Sequence, residues 1–465
     1  MKALEALRAL GMDKAVAYTF LARAVNIVGS TGTVLLIVRF LSPVEQGYYY
    51  TLLSLVALQM VFELGFAFVI QQLAAHECVH LELRAGGQVR GDLVSGDPAA
   101  HARLASTLQL SVRWYTVAAA AMGLILAPVG MLFFARHAAA GAAQVAWQGP
   151  WLLAVAVSMA GLWCQPFYSF LDGCGQVRAV AALRLRQAVA GMLLAWAAML
   201  LHHGLYAPAL VIAGQLGTGF FFLGARRRLL SGLLRYPAGD ASIRWRREVW
   251  PFQWRIGVSC LCAYFTMQVF IPILFALRGP VEAGQMGMSL SIAGYMTSLV
   301  LPWISTKATP FGRMIAERRF QRLDQLFLRT LGQALAVFSM IALAAGLGAL
   351  LLTVAAPRLA ERMVSPQLFA VLLVAAGANC VVQSLGTLLR SFKREPFLGQ
   401  SLAVASLTLL LAALTAPRWG TTGVTLSYLA ATAGIALPSA LRIFTRARRG
   451  YLAVSPLAAS GGEPA

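Results

Sequence analysis

Charge is what this sequence most lacks. Only 12% of its 465 residues are Asp, Glu, Lys or Arg, about half the roughly 25% of a soluble globular domain. Acids are the scarcer sign, with 17 Asp and Glu against 38 Lys and Arg. Hydrophobic residues reach 59% and the mean hydropathy is +0.71. That balance excludes a soluble enzyme and a disordered chain. The six Cys are scattered without a Cys-x-x-Cys pair, so neither a disulfide framework nor a zinc knuckle is indicated. No Walker phosphate loop is present, and Gly173-Cys174-Gly175 lacks the rest of a dinucleotide fingerprint. No cofactor is expected, and ATP is not the expected direct energy source.

What is present is a series of long apolar runs. About 20 apolar residues in a helix span a bilayer core. The runs predict an all-α polytopic membrane protein with helices near 16–38, 48–72, 107–134, 150–170, 186–202, 205–224, 252–277, 286–306, 328–355, 366–389, 397–416 and 420–444, twelve in all. Lys2, Arg8 and Lys14 precede a first run that reaches Val38. It is too long for a cleaved signal peptide and is read as a retained helix.

The net charge of +21 would suggest nucleic acid in a soluble chain. Here the basic residues fall in short loops between apolar runs, which is the pattern of membrane orientation. The odd-numbered loops hold Arg39, Arg136, Arg278, Arg358, Arg362 and Arg418, whereas the even-numbered loops and both termini hold about 28 Lys and Arg. The bias places both termini in the cytoplasm and requires an even number of spans.

The chain also repeats itself. Ser42-Pro43-Val44-Glu45-Gln46-Gly47 follows the first helix, and Gly279-Pro280-Val281-Glu282-Ala283-Gly284 follows the seventh. His203-Gly204 before the sixth matches Trp419-Gly420 before the twelfth. The expected organisation is an N-lobe at 1–224, a basic cytoplasmic linker at 225–251, a C-lobe at 252–445 and a disordered tail at 446–465. Six helices per half insert the same way up, so the lobes are expected to be related by a pseudo-two-fold axis along the membrane normal.

Polar side chains inside the spans form stripes. Arg23, Asn26, Ser30 and Thr33 lie at three-four-three spacing, on one helix face. Arg255, Ser259, Cys262 and Thr266 do the same in the seventh helix. Gln59 and Glu63 occupy the second helix, Arg113 the third, Tyr295 the eighth, with Lys307 at its end, and Asn379 and Gln383 the tenth. Intramembrane charges are costly and usually face a cavity or a partner. The expectation is a water-filled, basic cavity lined by Asn26, Ser30, Thr33, Gln59, Glu63, Ser259, Thr266, Tyr295, Asn379 and Gln383, with Arg23, Arg255, Lys307 and Arg113 as its cations. The alternative is that such groups satisfy one another across helix interfaces, Glu63 with Arg23 first among them, or that Arg113 snorkels from a helix start. A basic cavity would attract an anion such as a lipid-linked pyrophosphate.

Phe40-Leu41-Ser42-Pro43-Val44-Glu45-Gln46-Gly47-Tyr48-Tyr49-Tyr50, then Glu63-Leu64-Gly65 and His76-Glu77, resemble the N-terminal half of polysaccharide repeat-unit flippases of the O-antigen type. These belong to the multidrug/oligosaccharidyl-lipid/polysaccharide exporter superfamily. Ala283-Gly284-Gln285-Met286-Gly287-Met288, Thr306-Lys307-Ala308-Thr309-Pro310 and Arg390-Ser391-Phe392-Lys393-Arg394-Glu395-Pro396-Phe397 are similar too. The resemblance implies a twelve-helix, two-lobed, non-enzymatic carrier in the bacterial inner membrane. It would move an undecaprenyl-diphosphate-linked oligosaccharide to the periplasmic leaflet by alternating access, for lipopolysaccharide or other surface polysaccharide assembly. It also implies a cationic cavity, coupling to H+ or Na+ in some members, and a lipid-linked oligosaccharide, membrane lipids, polysaccharide polymerase and glycosyltransferases as partners, with no nucleic acid. The related multidrug exporters usually carry an Asp in the first helix, where this chain has Arg23 and no carboxylate.

One motif competes. His76-Glu77-Cys78-Val79-His80 matches His-Glu-x-x-His, which on a helix puts two His on one face for zinc. With Leu171-Asp172-Gly173 it resembles the signature of intramembrane site-2 metalloproteases, with His76, His80 and Asp172 as ligands. The duplicated helical plan has no role in such an enzyme.

Overall fold

The computed structural model describes residues 14–78, 81–83, 94–137, 145–237, 243, 245–392 and 397–453. All twelve predicted segments are helical. Among the described residues eight helices are long and apolar enough to cross a membrane, or ten if each of two bent pairs counts as one span. The other two predicted segments are helical as well. One is α1 (Lys14–Phe40). The other follows Gly420, whose φ of 52° and ψ of −132° turn the chain inside the long run from Leu398.

The helices differ from the expected runs where hydropathy is blind. The second predicted helix is three pieces, α2 (Pro43–Val56), α3 (Gln59–Glu63) and α4 (Phe66–Glu77). A two-residue break with Leu64 at φ 51° and Gly65 at φ 66° separates the last two. A short antiparallel ribbon, β1 (Leu81–Leu83) with β2 (Val94–Gly96), follows and pairs Leu81 with Gly96. The third helix, α5 (Pro98–His137), has 40 residues instead of the expected 28. At about 1.5 Å per residue it extends to about 60 Å, twice the thickness of a bilayer core. The extra turns dock on chain outside the spans.

The chain divides into two compact units, Met1–Leu261 and Cys262–Ala465. In the first, Ser42 and Glu45 form a reciprocal cap. The Glu45 N–H donates to Ser42 Oγ at 3.2 Å and the Ser42 N–H donates to Glu45 Oε2 at 2.8 Å, which fixes the start of α2. Gly204, at the entry to α8 (Ala207–Gly224), meets Leu41 so closely that an added Cβ would lie 2.4 Å from it. α6 (Gln148–Gly173) and α7 (Val177–Leu200) complete the set. On α1, Gly32 admits the ring of Trp196 from α7, whose indole N–H donates to Thr33 Oγ1 at 3.0 Å. Small residues at such crossings let helices approach.

The basic segment after α8 is not free in this unit. Its amphipathic helix α9 (Arg227–Arg235) ends against α5, where Gln109 Nε2 donates to the carbonyls of Leu233, Leu234 and Tyr236 at 2.8–3.2 Å. His101 stacks on Tyr236 at 4.0 Å, and the Ile243 N–H donates to Ser106 Oγ at 3.0 Å. Arg103 joins Glu77 at 2.9 Å to Glu248 at 2.7 Å. These contacts are why α5 is longer than its apolar run.

α10 (Trp250–Met267) carries the chain across the division into the second unit. That unit continues with α11 (Phe270–Arg278), α12 (Pro280–Val300), α13 (Pro302–Ser305), α14 (Ala308–Ala316), α15 (Phe320–Ala355), α16 (Pro357–Ala360), α17 (Pro366–Arg390) and α18 (Leu398–Leu429). A π-helical turn (Ala430–Ala436) leads into α19 (Leu437–Ala453). The repeated Pro-Val-Glu landmark is used differently here. Gly279 replaces the Ser cap, and Glu282 accepts from Arg278 Nε at 3.1 Å and from the Thr421 N–H at 3.0 Å. In the first unit, then, Leu41, just before the landmark, packs on Gly204 at the entry to α8, and in the second the landmark's Glu282 packs beside Gly420. The C-terminal residues correct the sequence reading. Positions 446–453 are helical, held by Arg448, which donates twice to Asp324 at 2.6 and 2.8 Å, and by Tyr451, which donates to the same carboxylate at 3.3 Å. Residues 454–465 lie outside the described residues.

Candidate functional site: a broken span with polar contacts

Two spans are broken, each with a bend of 42°. In the first unit the break falls at Leu64-Gly65. Two successive left-handed residues interrupt the hydrogen-bond ladder and leave the Leu64 carbonyl without a helical donor. Gln253 on α10 supplies one, its Nε2 donating to Leu64 O at 3.1 Å, while its own Oε1 is buried with no protein partner among the described residues. Gln253 is fully buried. Close packing makes this contact possible, because an added Cβ on Gly65 would lie 2.3 Å from Ile256 Cγ2. Non-helical backbone at membrane depth is tolerated where protein or a wet cavity satisfies it.

Glu63 is the last residue before that break and accepts from Tyr115 OH at 3.3 Å. An aromatic group surrounds the start of α4. Phe66 meets Tyr115, Trp114 and Trp245 with ring centroids 5.2–6.0 Å apart, and Trp114 stacks on Trp245 at 5.0 Å. Trp114 Nε1 and Ser259 Oγ are also buried without a protein partner among the described residues. Sequence reading had Gln59, Glu63 and Ser259 but missed Gln253, Tyr115 and the two Trp. Gln253 sits two residues from Arg255, so it fell off the stripe that helical spacing selects.

The second unit's break lies between α10 and α11. Met267 is met there by Asn379 Nδ2 at 4.0 Å and Tyr428 OH at 3.7 Å. Phe270 packs edge-on to Tyr428 at 5.3 Å. Asn379 was expected to line the polar cavity; Tyr428 was not singled out.

The other expected residues are distributed as follows. Arg255 is exposed on α10, 5.6 Å from the ring of the adjacent Trp254. Arg113 and Lys307 are exposed on their helices, as are Asn26, Tyr295 and Gln383. Ser30 is half-buried. Thr33 donates to Gly29 O at 2.7 Å besides accepting from Trp196, and Thr266 donates to Cys262 O at 2.8 Å, so both hydroxyls are used within the helical packing. Arg23 lies in α1, but its side chain is outside the described residues. Among the described residues Glu63 is met by Tyr115, and the expected pair with Arg23 falls on a side chain outside them.

For the His-Glu-x-x-His motif, His80 lies outside the described residues. The His76 side chain is 79% exposed, and Glu77 is engaged by Arg103. Asp172 is occupied by Gln71 at 3.2 Å and Arg184 at 3.6 Å. Among the described residues no three His, Cys, Asp or Glu side chains gather as a metal site. Cys78 instead meets Cys174 beyond the helix ends. The hydrogen bond from Cys174 holds the Cys78 thiol below its usual range, and the same bond, with burial, pushes Cys174 up.

No family model matches the chain, and no curated protein matches it in sequence. Solved structures do match in fold. An outward-facing multidrug resistance MATE family transporter of the MOP superfamily aligns with TM-score 0.60 at 13% identity, over 95% of each chain. An inward-facing structure of such a transporter aligns at 0.58 and 13%, over 96% of this chain and all of that one. A MOP superfamily transporter from Pyrococcus furiosus, described as having a binding pocket of reverse polarity that suggests a different function, aligns at 0.51 and 13%, over 95% of each chain. The chain therefore has the fold of these MATE-type transporters.

Proposed function

We propose that this protein is an inner-membrane carrier that moves an undecaprenyl-diphosphate-linked oligosaccharide from the cytoplasmic to the periplasmic leaflet by alternating access. The observation that carries the reading is the sign of the charge within the spans. Apart from Glu63, which Tyr115 already engages, the described spans hold carboxylates only near their ends, whereas Arg113 is exposed within its helix and Arg255 is exposed near the start of its span. The first helix offers Arg23 where a cation exporter would need an acid. A reverse-polarity pocket on the same fold is described for the Pyrococcus furiosus transporter, with a different function suggested.

Arg23, Arg255, Lys307 and Arg113 would orient the diphosphate while the glycan occupies the polar stripes and the prenyl tail stays in lipid. One Arg and one phosphate charge about 4 Å apart attract by about 4 kcal/mol at an effective dielectric near 20, before desolvation costs. Two or three such contacts hold a head group without fixing it, as a carrier requires. Coupling to H+ or Na+ and cooperation with a polysaccharide polymerase and glycosyltransferases belong to the same reading.

A multidrug exporter is the second reading. It is favoured by the names of the neighbours and by the Glu63–Tyr115 pair beside a broken span. Reconstituted translocation of a labelled lipid-linked oligosaccharide, run beside dye efflux, separates the two. In cells, Arg23→Ala or Arg255→Ala should abolish surface polysaccharide while the protein stays in the membrane, and Arg→Lys should retain part of the activity. Normal polysaccharide in both Ala variants, or dye efflux without lipid translocation, would sink the flippase reading.

A further inference from the structure

In the second unit a cleft of about 900 Å³ opens between the start of α15, the end of α17 and the last turns of α19. That is within the roughly 300–1,000 Å³ of small-molecule sites. Its walls are apolar and aromatic: Phe320, Leu389, Phe392, Ile443 and Tyr451. Tyr451 is clamped between Phe392, stacked at 5.3 Å, and Phe320 at 5.6 Å, so the wall is rigid. Two cations complete the lining, Arg442 and Arg446, one helical turn apart on the same face of α19 and both exposed. Nearby acids are already committed. Asp324 takes Arg448 in a two-point pair and Tyr451 besides. Glu317 is paired with Arg313 at 2.8 Å and Arg319 at 3.2 Å. Among the described residues no carboxylate engages Arg442 or Arg446.

We infer that this cleft binds an anionic phospholipid of the surrounding bilayer, with its phosphate between Arg442 and Arg446 and the upper part of an acyl chain along the aromatic wall. The composition of the lining selects the occupant. A free phosphate would meet the two Arg and leave the apolar walls uncovered, and a zwitterionic lipid would bring its own cation to a site that already has two. The loop-charge bias puts this end of the spans in the cytoplasm, where anionic head groups meet basic pockets between helices. The site is separate from the broken spans and does not depend on which cargo the carrier moves.

The test is native mass spectrometry of the full chain in detergent, with phosphatidylglycerol and phosphatidylcholine added at equal concentration. The unmodified protein should retain phosphatidylglycerol preferentially. The double variant Arg442→Gln/Arg446→Gln should bind it about 25-fold more weakly, at roughly a factor of five for each basic residue beside an anionic surface. Arg442→Lys/Arg446→Lys should keep most of the preference, and Arg418→Gln, at the opposite end of its helix bundle, should leave it unchanged. Equal retention of the two lipids by the unmodified protein overturns the assignment without reference to any variant. So does a folded double Gln variant that binds like the parent. Complete displacement of phosphatidylglycerol by millimolar inorganic phosphate would make this an anion site only, and would overturn it too.

Discussion

Replacing Gly65 by Ala probes whether the break in the second span is built into the fold. Two costs are expected. The backbone at Gly65 has φ of 66°, and a left-handed conformation costs an L-residue about 1–2 kcal/mol. The new methyl would also be 2.3 Å from Ile256 Cγ2 and 3.2 Å from Cys260 Sγ, and overpacking typically costs about 1–3 kcal/mol. The sum is about 2–5 kcal/mol. Gly217, on an exposed helical surface with nothing within 4 Å of an added Cβ, is the control; Ala there should be neutral or mildly stabilising. Unfolding of a purified membrane protein is generally irreversible, so apparent melting temperatures are compared at one scan rate. Gly65→Ala should melt several degrees lower, and its cost should shrink when Ile256 is also Ala, because that removes the steric part and leaves the backbone part. Equal costs in the two backgrounds would refute the clash, and a Gly65→Ala no worse than Gly217→Ala would refute the break.

Gln253→Leu should destabilise the protein by about 1–3 kcal/mol, since it orphans the Leu64 carbonyl inside the helical packing; Gln253→Glu, which offers no donor when ionised, should do no better, and both are read by the same melting assay. Arg448→Gln leaves the Asp324 carboxylate, whose side chain is 9% exposed, without its charge partner, and should cost about 1–3 kcal/mol, below the usual buried-pair penalty because Arg448 itself is 39% exposed and solvent-screened; Asp324→Asn in the same chain should recover part of it. Cys174→Ala removes the donor that lowers the Cys78 thiol. The Cys78 pKa then rises, less thiolate is present near neutral pH, and alkylation at Cys78, followed by peptide mass spectrometry, should slow.

Span placement was legible because it depends on one long-range-independent quantity, the length of an apolar run. The interruptions were not. Leu64-Gly65 is apolar like its neighbours, and what marks it as a break is a carbonyl acceptor satisfied by Gln253, 189 positions later. The first nine residues of α5 fell outside the predicted span at 107–134 because His101, Arg103 and Ser106 are polar. Their partners Tyr236, Glu77, Glu248 and Ile243 lie mostly on distant chain. The final helix turns read as a disordered tail for the same reason, since the acid that recruits Arg448 is 124 residues earlier. Of the candidate site, the polar type of Glu63, Ser259 and Asn379 was visible, but their partners Tyr115 and Met267 were not. Helical periodicity reports which residues share a face; it does not report what that face meets.

The two halves also show where a duplicated plan stays fixed and where it drifts. Both keep Pro-Val-Glu at a helix start close to a Gly where a later helix begins or turns, Gly204 in one and Gly420 in the other. Glu45 spends its carboxylate on its own cap, where Ser42 makes the reciprocal bond possible. Glu282 follows Gly279, which has no side chain to reciprocate, and so reaches Thr421 across the bundle. The broken spans are not so related: one break follows Glu63 within the second helix of its unit, the other follows Met267 in the helix that opens its own. Helix starts and their turns therefore repeat from one half to the other, because each has the same local packing to satisfy, whereas the polar breaks fall at different places in the two halves.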